Sequence, residues 1–222
     1  MRILVYFSLI ILLGSCSIIK NTPKYDLVDG VYQLDHTNVL VEFTEDTLHL
    51  ISKSTDVVNV EKTLPPVMSQ STGNLILRKG TFDLDLLAIP VKIHGSVNGI
   101  PTQMNTEINA SVYFGKRSDR FYIRYNKTPR SLFKREIDHF GLSYGAFLGF
   151  GSTAIHQGVS QSQITYDYQG IVFSKGLAGI IAINNFTLGI AYGFDQLMDE
   201  NASKWIYQQK PYWGIAIGLN LN

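Results

Sequence analysis

In residues 186–194, FTLGIAYGF, large side chains take every second position: Phe186, Leu188, Ile190, Tyr192 and Phe194. Thr187, Gly189, Ala191 and Gly193 stand between them. Near the end of the chain Trp213, Ile215, Ile217, Leu219 and Leu221 alternate with Tyr212, Gly214, Ala216, Gly218 and Asn220. Over 140–151 the large set is Phe140, Leu142, Tyr144, Ala146, Leu148 and Phe150, and the other is Gly141, Ser143, Gly145, Phe147, Gly149 and Gly151. Over 105–114, Ile108, Ala110, Val112 and Phe114 oppose Asn105, Glu107, Asn109 and Ser111. A period of two on four segments predicts β-strands.

The second face distinguishes architectures. A soluble sandwich covers its outer face with Lys, Glu and Thr, whereas here that face is Gly, Ala, Ser and Asn. Small residues suit a narrow lumen, and the large apolar face then turns outward. Eleven residues at ~3.3 Å, tilted ~45°, rise ~26 Å, close to the ~25 Å apolar band of membrane barrels. Tyr212, Trp213, Phe194 and Phe150 lie toward segment ends, as an interfacial aromatic girdle requires.

Strands are predicted over 82–93, 104–115, 119–127, 138–151, 163–174, 175–183, 185–195 and 210–221. The expected fold is mainly β: a small up-and-down antiparallel β-barrel of about eight strands, at 81–222, preceded by a short β-meander. The meander comes from the alternating pieces GVYQLDH, NVLVEFTED and TLHLISKS, with tight turns near Asp35–Asn38 and Glu45–Thr47. Residues 53–73, with Pro65-Pro66 and many Ser and Thr, predict a linker or long loop, so 30–80 is meander plus linker. Lys175, in the run IVFSKGLAGIIAI, sits awkwardly for a lipid-facing strand. A soluble β-protein whose Gly-rich faces pack a second sheet or cover a ligand cavity is the competing architecture.

The chain opens with Met1-Arg2 and an apolar run from Ile3 to Leu13, the length of a signal-peptide core and too short to span a bilayer. Leu13-Gly14-Ser15-Cys16 follows and contains the chain's single cysteine. These four residues resemble the bacterial lipobox. That resemblance implies removal of 1–15 and lipidation of Cys16, with 16–29 as a tether. A lone cysteine has no internal disulfide partner, and thioether lipidation accounts for it. Its acyl chains would be the link to membrane lipid. Ser17, where an Asp would resemble an inner-membrane retention signal, implies the outer membrane. The chain as a whole is similar to small lipoproteins of Gram-negative bacteria whose C-terminal part resembles outer-membrane barrels.

Nineteen basic against eighteen acidic residues leave a net charge of +1, which gives no electrostatic case for nucleic acid. Charged residues make up 17%, below the ~25% usual in soluble domains. The five histidines have no metal-motif spacing and no second cysteine supports a zinc site, so no metal and no cofactor are expected. His139 and Ser143 share a strand face, but ~13 Å along one strand prevents a direct nucleophile–base pair. Either would need a neighbouring strand, with Glu107 and Asn109 as candidate partners, and a lumen hydrogen-bond network is the expected use. Eight basic residues crowd into 116–135. Lys116, Arg117, Arg120, Arg124, Lys127 and Arg130 are the candidate contacts to anionic lipid headgroups, with Phe121, Tyr122 and Tyr125 interleaved; a charged solvated hairpin loop is the alternative. The functional expectation is a lipid-anchored, non-enzymatic accessory protein of the outer membrane. A lipocalin-like carrier of an apolar ligand and an envelope lipid acyltransferase or esterase are the alternatives.

Overall fold

The computed structural model describes residues 26–54, 57–70, 72–184 and 186–220. The described residues are mainly antiparallel β. A meander opens it: β1 (Gly30–Leu34), β2 (Thr37–Thr44), β3 (Thr47–Ser54) and β4 (Val57–Leu64). Asp35 and His36 join β1 to β2, and Glu45 and Asp46 join β2 to β3, all four at positive φ. Two consecutive left-handed residues match the twist of a two-residue hairpin, and short polar side chains tolerate them best. The turns thus fall where the sequence places them. The stretch expected to be linker instead forms β4, paired along β3 from Leu48↔Leu64 to Ser54↔Val57. Val57, Val58 and Val60 supply the β-branched character that the surrounding polar residues obscure.

After Pro65-Pro66 the two-residue β5 (Val67–Met68) pairs with the start of β9 (Phe133–Ile155). The long strand β6 (Leu75–His94) follows, then β7 (Gln103–Asn105), β8 (Asn109–Lys127), β9, β10 (Tyr168–Ile183), β11 (Phe186–Leu197) and β12 (Pro211–Asn220). β6, β8, β9, β10, β11 and β12 are successive neighbours, and β12 pairs back onto β6, closing a six-stranded ring. Eight expected segments become six strands. Residues 104–115 and 119–127 contribute to one strand, β8, and 163–174 and 175–183 to one, β10.

The ring is steeply staggered. The cross-strand neighbours Leu84, Phe114, Ala146, Leu177, Tyr192 and Trp213 lead back to β6 nine residues further on, at Ile93. Nine rises of ~3.3 Å across six spacings of ~4.8 Å give a tilt of about 45°. One end of the ring has short connections. Residues 184–185 link β10 to β11, with Asn184 at positive φ. The other end carries 95–108, 156–167 and 198–210. β6 enters and β12 leaves at the short-turn end, where β6, β8 and β9 continue past the ring to meet the meander.

Those extensions share a core with the meander: Tyr32, Val41, Leu50, Leu77, Phe121 and Ile123 are buried together. Tyr32 packs edge-on against Phe121 and donates to the Val28 carbonyl at 2.9 Å, and burial raises its hydroxyl pKa. A second core, inside the ring, contains Leu87, Tyr113, Phe147, Ile180 and Tyr212. A third caps the loop end, where Val159 and Ile164 of one loop meet Trp205, Ile206 and Tyr207 of another.

Candidate functional site

Polarity across the barrel wall is inverted. Inward positions at the loop end hold Lys92, His94, Asn109, Ser174 and Asp195, all buried. Lys92, 1% exposed, donates to Asp195 at 2.7 and 2.8 Å, to Asn109 Oδ1 at 2.8 Å and to Ser174 Oγ at 3.0 Å. Its ammonium lies 4.5 Å from the centre of the Tyr212 ring. Ser174 in turn donates to Asp195 at 2.5 Å. His94 stacks with Tyr207 and Tyr212 at 4.6 and 5.6 Å between ring centres. Toward the meander end Arg117 donates to Asp119 at 2.7 Å, and His139 Nε2 lies 2.7 Å from the same carboxylate. Asp83 and Asp85 are buried at this level. Between the two polar layers Tyr113 and Phe147 fill the lumen.

Glycine makes room for those rings. Gly115 pairs with Gly145 and Gly176 with Gly193, both across the inner wall. A Cβ at Gly193 would come within 2.8 Å of both Phe147 and Tyr212 ring atoms. The small-residue face seen in the sequence is therefore the inner wall, and the lumen is occupied by side chains.

The outward face is apolar. Phe82, Leu84, Leu86, Val112, Phe114, Leu142, Leu148, Phe150, Leu177, Ile190, Trp213 and Ile215 are all exposed. On β9 the outward run from Phe140 to Phe150 rises about 23 Å at ~3.3 Å per residue and a ~45° tilt. Lys175 does face outward in this belt, set near the loop end between its strand neighbours Leu148 and Phe194 and two residues from Phe173. Its long stem can carry the ammonium to the belt edge. A continuous apolar girdle of this height is far larger than the patches that monomeric soluble proteins leave uncovered.

The basic cluster divides across the sheet. The alternative of a charged hairpin loop over 116–135 does not hold, because the stretch is continuous strand on both sides of a short turn at 128–132. Lys116, Arg120 and Arg124 point outward from β8, and Lys127 and Arg130 are exposed at the far hairpin. Arg124 is paired with Asp138. Arg117, 4% exposed, faces the lumen and is removed from the headgroup set by its bond to Asp119. Phe121 and Tyr125 are buried in the meander core rather than placed at an interface. Arg78 of β6, not singled out in the sequence, stands directly opposite Arg120.

His139 and Ser143 remain separate: Ser143 Oγ lies 2.8 Å from the Tyr113 hydroxyl, while His139 bonds Asp119. Glu107 receives Ser152 and Gln169, and Asn109 receives Lys92. Ser174, Asp195 and His94 are close, but the serine bonds the carboxylate and not the imidazole, so the three do not line up as a serine–histidine–carboxylate relay. No cluster of three or more His, Cys, Asp or Glu able to hold a metal occurs among the described residues. Cys16 lies outside the described residues. Lys92 carries a sequence signal of its own: a lone charge inside LAIPVKIH, a run otherwise apolar, implies a buried partner. Comparisons with protein-family models, curated proteins and solved structures give no match.

Proposed function

We propose that this protein is an envelope lipoprotein whose C-terminal barrel is embedded in the outer membrane, with a structural or accessory role and no enzymatic one. The observation that carries the reading is the inverted wall: charged and hydroxyl side chains inside, an apolar belt about 23 Å high outside. In a bilayer every backbone polar group needs an internal partner, and a closed ring supplies them. Short turns at one end and long loops at the other are the pattern of outer-membrane barrels, whose short turns face the periplasm. In that orientation the meander is periplasmic. Cys16 lies about fourteen residues before Gly30, a reach of up to ~45 Å, ample for its acyl chains to enter the adjacent leaflet. Six strands is fewer than the usual minimum of about eight. Glycine on the inner wall is what lets so narrow a ring close around aromatic side chains.

The test uses the two tryptophans. Trp213 is outward in the belt and Trp205 is buried under the loop cap. Protein reconstituted in vesicles containing acyl-brominated phosphatidylcholine is expected to lose much of its fluorescence, and Trp213→Phe to lose that quenching. Unquenched Trp213, with the protein released by alkaline carbonate in a Cys16→Ala variant, would show a soluble β-domain held by its lipid alone. In planar bilayers the reconstituted protein is expected to give no steady conductance, because Tyr113, Phe147 and Tyr212 occupy the lumen. Stable unitary currents would overturn the filled-barrel reading.

A further inference from the structure

Where β1 leaves β6, the outer surface folds into a cleft of about 620 Å³. Its floor is the directly paired Gly80 and Ser118, whose small side chains leave the backbone low. Around it stand Arg78, Lys116 and Arg120, all exposed. Arg78 and Arg120 are directly opposite one another on adjacent strands. Like charges so placed destabilise a sheet. Among the described residues none of the three cations has a carboxylate partner, and none of the residues lining the cleft is acidic. Arg124, further along the same face, is by contrast neutralised by Asp138.

The cleft also has a fixed position relative to the belt. Lys116 is paired with Phe82 on one side and Tyr144 on the other, both outward belt residues. Tyr144 lines the cleft as well. The cations therefore begin where the apolar surface stops, on the meander side.

Building on the membrane-embedded reading, we propose that this cleft binds the phosphate of an anionic phospholipid in the meander-side leaflet. Arg78, Arg120 and Lys116 would hold the phosphate oxygens, with the Ser118 hydroxyl as a further donor. The acyl chains would lie along Phe82, Leu142 and Tyr144. A bound phosphate removes the repulsion between the facing arginines, which accounts for their juxtaposition. Guanidinium groups suit phosphate because they donate in a planar fork.

The test is electron spin resonance of the full chain in phosphatidylcholine bilayers carrying traces of spin-labelled phosphatidylglycerol or phosphatidylcholine. A motionally restricted component is expected for both labels, with clear selectivity for phosphatidylglycerol. The double variant Arg78→Gln/Arg120→Gln should lower the association constant at the selective site about 25-fold, roughly 5-fold per cation. Arg124→Gln/Lys127→Gln, in the same basic cluster but outside the cleft, should leave it unchanged. Loss of a like-charge pair should not lower the thermal midpoint in zwitterionic detergent, so misfolding would be visible separately. Equal restriction of both labels, or selectivity that survives the double variant, overturns the site while leaving the embedded barrel standing. No restricted lipid of either kind overturns the barrel and the site together. Selectivity abolished by millimolar inorganic phosphate at constant ionic strength assigns the cleft to a free anion and overturns the lipid proposal.

Discussion

Gly176→Val is expected to destabilise the barrel severely, while Gly179→Val three residues along the same strand leaves it intact. Both glycines lie in β10, within a run of alternating residues that differ mainly in which way they point. A Cβ at Gly176 would stand 2.3 Å from the Tyr192 carbonyl oxygen, 2.6 Å from Gly193 Cα and 2.9 Å from the Phe147 ring. Two of those three neighbours are backbone, so relief requires moving β11 rather than a rotamer. Gly179 faces outward, and a Cβ added there would meet nothing within 4 Å. Overpacking a core typically costs ~1–3 kcal/mol, and more where backbone must shift. The expectation for Gly176→Val is at or above the top of that range, a large share of a net stability of ~5–15 kcal/mol. Gly179→Val should be neutral or slightly stabilising, since a β-branched side chain replaces glycine on a strand. Refolding into detergent, followed by the unheated electrophoretic shift of a folded barrel and by circular dichroism, separates the two. A folded Gly176→Val protein of normal stability would mean that the inner wall is looser than the paired glycines imply.

The same strand shows how much of the molecule is legible in the sequence. Alternation marks the strand and its faces, because side chains of a strand must point to opposite sides and the two sides meet different surroundings. It also marks the meander turns, since Asp35-His36 and Glu45-Asp46 sit between alternating runs. Strand number is harder. β8 runs from an apolar outward face at Val112 and Phe114 to a cationic one at Lys116 and Arg120, while its inward face turns to Arg117 and Asp119. Where both faces are polar, a strand resembles a loop, and one continuous strand reads as two. Lys175 interrupts β10 in the same way. β4 is hidden by its polar neighbours. The cleft is half legible: charge density marks Lys116 and Arg120, but Arg78 joins them only through the register of β6 against β8. Register is a property of the pairing, and one strand's sequence does not contain it.

Lys92→Met is the second large expected effect, with a loss of about 3–5 kcal/mol. Lys92 and Asp195 are 103 residues apart, meet at 2.7 Å, and are each 1% exposed. Removing the ammonium leaves a carboxylate inside the wall with the Ser174 hydroxyl at 2.5 Å as its remaining hydrogen-bond partner in the cluster. It also strips Asn109 Oδ1 of its donor and leaves the Tyr212 face without its cation. Asp195→Leu should cost a similar amount for the opposite reason, a buried ammonium without its counter-ion. The double variant Lys92→Met/Asp195→Leu removes both charges together. Replacing a buried ion pair by apolar residues of similar volume is often close to neutral, so it should be more stable than either single variant. Urea unfolding midpoints for the four proteins in one detergent give the coupling directly. A cycle in which the two single losses simply add would show that Lys92 and Asp195 contribute independently, and that the ion pair does not organise the loop end of the lumen.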